Sequence, residues 1–329
     1  MVYIESRGNN AAFHFSAEEY IMHKVKNPVL MIWQADKCVM LGVNQIADAE
    51  IDINYAQETG TQIVRRSSGG GTIYTDMGTL LYTFIEPLSK TRSPQEIFTR
   101  TAKKAAAALK ALGLPASAEG RNDIVLDGKK ISGLAQYIKH GSICTHGSLL
   151  YDTNLDILED ILSPDDIKIT SKALRSVRSR VTNIKEHIIN PPKISYFKNQ
   201  LKKQLLREYD FIENILSEYD YSRIKLIHDQ KYGSNSWTFG RSPKFSFRNA
   251  KRFKNGGIEV FLDIEQGLVS SCAIRGDFLG VLPIRELENM FVGKTFDRES
   301  FVDSLEDVYL QHYFGDISIE EFLSVMFVH

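Results

Sequence analysis

The stretch Arg65-Arg66-Ser67-Ser68-Gly69-Gly70-Gly71 constrains this chain more than any other. It runs straight into the apolar Thr72-Ile73-Tyr74. Glycine reaches φ > 0 and lets another group approach the backbone closely, so consecutive glycines mark a tight curve rather than a plain strand. Exposed backbone N–H groups in such a curve form an anion-binding concavity, and an arginine fork beside it suits phosphate. A glycine run is also often a plain loop, so the chemistry needs partners elsewhere in the chain.

The 329 residues are enough for one large domain, or one large and one small. Apolar residues make up 43%, which supports a sizeable core. With 40 basic and 41 acidic side chains, the chain lacks the basic excess of a general nucleic-acid binder. Its three cysteines, Cys38, Cys144 and Cys272, form no Cys-x-x-Cys pair and no disulfide framework, which predicts a reducing, cytoplasmic setting. Neither a signal-peptide pattern nor a membrane-length apolar run is evident.

Apolar spacing predicts a helix from Phe15 to Val25, with Ser16 as N-cap. Val29–Trp33, Val39–Gly42 and Leu80–Ile85 read as strands, Ile51–Gly60 reads as a short helix, and Ile63-Val64 leads into the glycine run. Ser93-Pro94-Gln95-Glu96 is a capping box with proline at the first helical position, opening a helix that stops at Gly113. Asp127-Gly128 between β-favouring runs is a hairpin signal, and Ser142–Tyr151 reads as a further strand. Ser234–Pro243, around Trp237, reads as a linker. Beyond it, Ile258, Val260, Leu262 and Ile264 alternate with more polar positions, and a turn at Gln266-Gly267 leads to another strand. Helices are expected at 284–291, 299–313 and 319–327, the last after a Ser318…Glu321 capping box. The tail therefore reads as a small α+β domain.

Two more motifs follow the glycine run: Gly120-Arg121-Asn122-Asp123-Ile124 and Lys129-Lys130-Ile131-Ser132-Gly133. Singly, each is an ordinary turn or hairpin tip. In this order and spacing they resemble the lipoate–protein ligase family, within the group that also holds biotin–protein ligases. His146-Gly147-Ser148-Leu149-Leu150 and Ser176–Asn183 resemble further family segments. Gly257-Ile258-Glu259-Val260 and Arg275-Gly276-Asp277-Phe278 resemble its C-terminal accessory domain, so the likeness covers nearly the whole chain.

The resemblance implies an α+β / α/β fold: a large biotin/lipoyl-ligase-like catalytic domain with mixed β-sheets flanked by helices (1–244) and a small α+β accessory domain (245–329). It implies a two-step reaction. Lipoate and ATP give lipoyl-adenylate and pyrophosphate, and the acyl group then passes to a lysine amine. Two repelling anions must meet in the first step, and a fixed ammonium offsets that repulsion. Lys130 matches that lysine and is expected to contact both lipoate and nucleotide, with Lys129 its exposed neighbour. Arg66 matches a phosphate-contacting arginine, while Arg65 is assigned to anchoring the loop. Gly71, Thr72, Ile73 and Tyr74 match the segment along the nucleotide. Ser68, Gly69, Gly70 and His146 are assigned to the lipoyl pocket. Asn122 and Asp123 are assigned to Mg²⁺, a hard ion that prefers oxygen ligands.

The implied partners are lipoate and a lipoyl carrier, either a 2-oxoacid dehydrogenase acyltransferase domain or a glycine cleavage H protein, with no nucleic acid and no membrane. A monomer is expected, with rotation about the joint near Trp237–Pro243. Val43, Thr75, Thr79 and Leu134 depart from the family pattern and are expected around the acyl and nucleotide pocket, which bears on the choice between lipoate and octanoate. Two other readings stand beside the ligase. One is an octanoyl or lipoyl transferase using a cysteine thiolate, for which Ile169–Val181 holds no cysteine but Cys144 lies two residues from His146. The other is a non-catalytic lipoate-binding regulator.

Overall fold

The computed structural model describes residues 1–162, 180–239, 247–265 and 267–327. Strands β1 (Val2–Ile4), β2 (Val29–Trp33), β3 (Cys38–Leu41), β4 (Gln62–Arg65), β5 (Ile73–Thr75), β6 (Thr79–Pro87), β7 (Ser117–Glu119), β8 (Asp123–Leu126), β9 (Lys129–Lys139), β10 (Ser142–Leu150) and β11 (Ile212–Asn214) build two sheets. The larger has eight strands in the order β11-β1-β2-β6-β10-β9-β8-β7; the smaller has the order β4-β3-β5. Parallel pairs (β1 with β2 and β11, β3 with β4) mix with antiparallel ones, as the sequence predicts.

Continuous apolar runs suit strands covered on both faces, and every residue of β2 is buried. Its odd positions Val29, Met31 and Trp33 pack under helix α1 (Ala11–Lys24). Its even positions Leu30 and Ile32 join a second core with the helices Pro94–Ala111 and Ile194–Leu206. The layers are therefore helix, sheet, helix.

Helix α1 begins at Ala11, not Phe15. Asn10 is the N-cap and accepts from the Phe13 N–H at 2.9 Å, while Ser16 is buried inside the helix and donates to the Ala12 carbonyl. The helix is buried on nearly all sides, which erases the one-sided apolar stripe that marks a helix start. The Ser93 capping box is present and its helix ends at Ala111. Asp127 and Gly128 have φ of 50° and 75°, the two positive values of a tight β8–β9 hairpin turn.

The tail has its own three-stranded sheet, β12 (Phe247–Phe253), β13 (Gly256–Glu265) and β14 (Leu268–Gly276), packed under helices including Ile284–Phe291 and Arg298–Leu305. The helix expected over 299–313 breaks after Leu305 and resumes at Gln311–Phe314. The break lets Leu310, Tyr313 and Phe314 all enter one core. The last expected helix, 319–327, is the shorter Ile319–Leu323 with its capping box.

Of the expected linker, residues 240–243 lie outside the described residues. Its first part is not free chain. Asn235–Thr238 is a short helix docked on β4, where Trp237 Nε1 donates to the Arg65 carbonyl at 2.8 Å. The segment after β14 crosses onto the larger domain, where Gly70 N donates to the Phe278 carbonyl and Ile138 N to the Val281 carbonyl, both at 2.9 Å. Among the described residues, no helix is long and apolar enough to cross a membrane.

Candidate active site

The glycine run lies between β4 and β5, and Gly70 has φ of 91°. Its curvature is enforced from inside by Arg66. Arg66 Nε donates to Ser68 Oγ (3.0 Å), Nη1 to the Met40 carbonyl (2.8 Å), and Nη2 to the carbonyls of Gly69 and Gly71 (2.8 and 2.7 Å). Burial and the adjacent Arg65 guanidinium lower its pKa to about 10. Arg65 also holds carbonyls, those of Gly42 (2.7 Å), Gln45 (2.6 Å) and Thr238 (2.8 Å). Both arginines therefore brace backbone; Arg66 also faces the cavity beside the glycine loop, and Arg65 a separate one between the domains.

That cavity, of about 120 Å³, is walled by Phe15, Trp33, Met40, Leu81, Leu134 and Leu279. Its polar lining includes Arg66, Gly70, Gly71, Thr72, Asn122, Lys130 and His146, and Ile73 adds an apolar contact. The structure thus gathers most of the residues singled out in the sequence. Ser68 and Gly69 do not line the cavity. Ser68 is buried behind the loop, and Gly69 is pressed against the accessory domain, where an added Cβ would meet the Phe278 carbonyl oxygen at 2.5 Å. The Tyr74 side chain faces away, into a core with Val39 and Leu41.

Lys130 is placed by an irregularity in the hairpin. The β8–β9 register shifts between Ile124 and Val125, so Val125 pairs with Lys130 while Asp123 pairs with Gly133. Such a bulge re-aims a side chain. The ammonium folds back to 2.7 Å from Asp123 Oδ1. Gly133 leaves the space it uses, since a Cβ there would lie 3.2 Å from Nζ. Asn122 Nδ2 donates to the Leu134 carbonyl at 3.1 Å, which fixes the amide at the cavity wall. Lys129 is exposed at the hairpin tip.

His146 lies on β10 opposite Thr83 of β6 and Ala135 of β9. Its Nε2 is hydrogen-bonded to Ser68 Oγ at 2.7 Å, and its Nδ1 faces Glu18 Oε2 at 3.1 Å. Thr83 Oγ1 donates to Glu18 Oε1 at 2.6 Å, and Trp33 Nε1 donates to Thr83 Oγ1 at 3.1 Å. A buried polar relay thus ties α1, β10 and the glycine loop together. Sequence reading missed Glu18, which no local pattern separates from its neighbour Glu19 on a helix that also carries His14 and His23. It also missed Leu279, which no local pattern marks, because its role comes from the packing of one domain on the other.

Of the four departures from the family pattern, only Leu134 lines this cavity. Val43 lines a separate cavity of about 520 Å³ between the two domains. Thr75 and Thr79 are fully buried, bonding Cys38 Sγ at 3.1 Å and Thr153 Oγ1 at 2.8 Å. The expectation that all four surround the pocket is corrected on that ground. The Ser176–Ser179 part of the family-like segment lies outside the described residues. All three cysteines are free.

A mixed sheet between helices, a braced glycine loop, and a lysine facing it across a cavity define a ligase-type domain with an accessory domain. Residues 10–206 match the lipoyl protein ligase A/B catalytic domain, and residues 242–326 match the bacterial lipoate protein ligase C-terminus. The chain is 35% identical to lipoate-protein ligase LplJ of Bacillus subtilis, covering 99% of this chain and 100% of that protein. It is 32% identical to lipoate–protein ligase 1 of Staphylococcus aureus, covering 95% of each. The fold matches P. falciparum LipL1 in complex with lipoate (TM-score 0.76, 20% identity, 93% of this chain and 94% of that one). It also matches a lipoate-protein ligase A bound with ATP (TM-score 0.63, 26% identity, 73% and 97%). This chain belongs to the lipoate–protein ligase family.

Proposed function

We propose that this chain is an ATP-dependent lipoate–protein ligase that forms lipoyl-adenylate and then transfers the lipoyl group to a lysine of a carrier domain. The observation that carries this reading is the position of Lys130, its ammonium beside Asp123 at the wall of a cavity that the glycine loop closes from the other side. An apolar cavity wall suits an aliphatic acid. A cation at the end of it lowers the repulsion between that acid and the α-phosphate, and stabilises charge on the transferring phosphoryl group. Gly71, Thr72 and Ile73 line the same cavity and are assigned to the nucleotide, with Tyr74 contributing backbone only. Arg66 acts by holding the loop's shape and by placing positive charge beneath it.

Mg²⁺ fits the residues present. The Asn122 amide donates through Nδ2, which leaves Oδ1 free to face a cation, and Asp123 adds a carboxylate. One carboxylate, an amide oxygen and substrate phosphates are an ordinary set for this ion. When bound there it would neutralise phosphate charge; the chain's own contribution is Lys130 and the loop.

The thiol-transferase alternative loses support at Cys144. Its thiol is fully buried, and burial together with the Glu18 carboxylate pushes its pKa well above the ordinary cysteine value. A thiol so placed is a poor nucleophile. We further assign the catalytic unit to 1–244 and the accessory unit to 245–329, a monomeric state, a cytoplasmic setting, and as acceptors 2-oxoacid dehydrogenase acyltransferase domains or a glycine cleavage H protein.

Intact-mass analysis of candidate carriers tests the reading, after incubation with the chain, ATP, Mg²⁺ and either lipoate or octanoate. The expected result is a lipoyl mass increment that requires ATP. Modification without ATP, or lipoate binding with no turnover, would rule the ligase out.

A further inference from the structure

We propose that Glu18, Cys144 and His146 form a binding site for a thiophilic divalent cation of the zinc class. Their ligand atoms all lie within 4.8 Å of one another, and all three residues are buried. Cys144 and His146 are two apart on β10, so they share one face of the strand, and α1 lays Glu18 over that face. A thiolate sulfur, an imidazole nitrogen and a carboxylate oxygen are donors that zinc accepts, whereas the thiolate disfavours hard ions such as Mg²⁺. The charges also fit. Thiolate and carboxylate together carry −2, and one divalent cation cancels it in a wall where uncompensated charge is costly.

A second observation points to the same spot. Tyr137 is the register partner of Cys144 on β9, and it is buried. Its hydroxyl lies against the Cys144 thiol and has no other partner among the described residues, so it is placed to donate to a metal-bound thiolate or to a water on the ion. Outer contacts orient the donors as metal sites require: Ser68 Oγ holds His146 Nε2 at 2.7 Å, and Thr83 Oγ1 holds Glu18 Oε1 at 2.6 Å. Of the three ligands, only His146 lines the acyl cavity, so the ion sits behind that wall, apart from Asn122 and Asp123. The group Glu19, His23 and His140 is a poorer site for such an ion, because it offers no thiolate and two of its three residues are exposed.

The full-length chain, titrated with Co²⁺ and then Zn²⁺, provides the test. The expected result is one equivalent of Co²⁺ bound, with a near-ultraviolet thiolate-to-cobalt absorption band that one equivalent of Zn²⁺ removes. Cys144→Ser should abolish the band, and both Cys144→Ser and Glu18→Gln should weaken Zn²⁺ binding by about tenfold or more. His23→Ala should leave binding unchanged. Absence of the band in the unmodified chain overturns the site, whether or not Cys144→Ser folds. Unchanged Zn²⁺ affinity in Glu18→Gln overturns it as well, as does loss of binding in His23→Ala.

Discussion

Lys130 and Arg66 are both basic residues at one cavity, yet their environments predict opposite phenotypes. The Lys130 side chain is 37% exposed and its ion-pair partner Asp123 is 35% exposed. A pair this open contributes at most about 1 kcal/mol. Lys130→Ala should therefore shift Tm by no more than about 4 °C while lowering adenylate formation by about 10²-fold or more, read as pyrophosphate release. Near-normal pyrophosphate release would sink its assignment. Arg66 is buried, and four of its N–H donors are engaged. Lysine cannot reproduce a planar fork, and breaking a buried charged network costs on the order of 3 kcal/mol. Arg66→Lys should thus lower Tm by about 6 °C or more, with any loss of activity following from a loosened loop; an unchanged melting curve would contradict the brace. The hairpin that carries Lys130 was legible in the sequence from its Asp127-Gly128 turn, whereas the choice of Lys130 rested on the family resemblance. The bracing by Arg66 was not legible, because the carbonyls it holds belong partly to β3, whose neighbourhood is decided by tertiary packing.

Close backbone approach links the glycine loop to its neighbours. An added Cβ at Gly42, just past β3, would lie 2.1 Å from the Gly70 carbonyl oxygen. Backbone cannot yield as a flexible side chain can, so Gly42→Ala should displace the loop and weaken ATP binding, measurable by calorimetry. Equal affinity in the variant would show that the loop tolerates displacement. The short helix Ala47–Glu50 carries a pH-sensitive contact between the domains. Burial first, then the Asp277 carboxylate of the accessory domain, raise the Glu50 pKa to about 7. A carboxyl with a raised pKa in the folded state contributes stability below its unfolded value near 4.5, and loses it as pH rises through about 7. The unmodified chain should therefore lose more Tm between pH 5 and pH 8 than Glu50→Gln does; parallel profiles would remove Glu50 from the account. Elements with strong local signals, such as the Ser93 capping box and the alternation in β13, were readable from sequence. The start of α1 was not, since burial on nearly all sides hides its period, and with it went Glu18.

The accessory domain is packed where the nucleotide reading needs room. The Gly70 N–H, part of the anion-binding curve, is donated to the Phe278 carbonyl at 2.9 Å, and Leu279 lines the cavity beside it. An added Cβ at Gly70 would lie 2.8 Å from Leu279 Cδ2, so the contact is close. A phosphate placed on the same curve competes with Phe278 for that donor and with Leu279 for that space. The domains are joined by backbone hydrogen bonds, among them Gly70 N to the Phe278 carbonyl, Ile138 N to the Val281 carbonyl and Gly276 N to the Asn44 carbonyl, and domain interfaces within one chain commonly permit relative motion. Ligand and accessory loop therefore exclude one another in part, and a ligand can shift the arrangement only through such a difference in affinity. Adding a non-hydrolysable lipoyl-adenylate analogue should release the Phe278–Leu279 segment and change the relation of the domains. Small-angle scattering should then show a changed profile, and the Ile138 amide, which donates to the Val281 carbonyl across the domains, should exchange hydrogen faster, while Ile258–Ile264 in the accessory sheet stays protected. Leu279→Ala, which removes most of the competing side chain, should bind the analogue more tightly than the unmodified chain. Superimposable scattering profiles with and without the analogue, together with unchanged affinity in Leu279→Ala, would mean that adenylate and accessory loop occupy the cavity side by side.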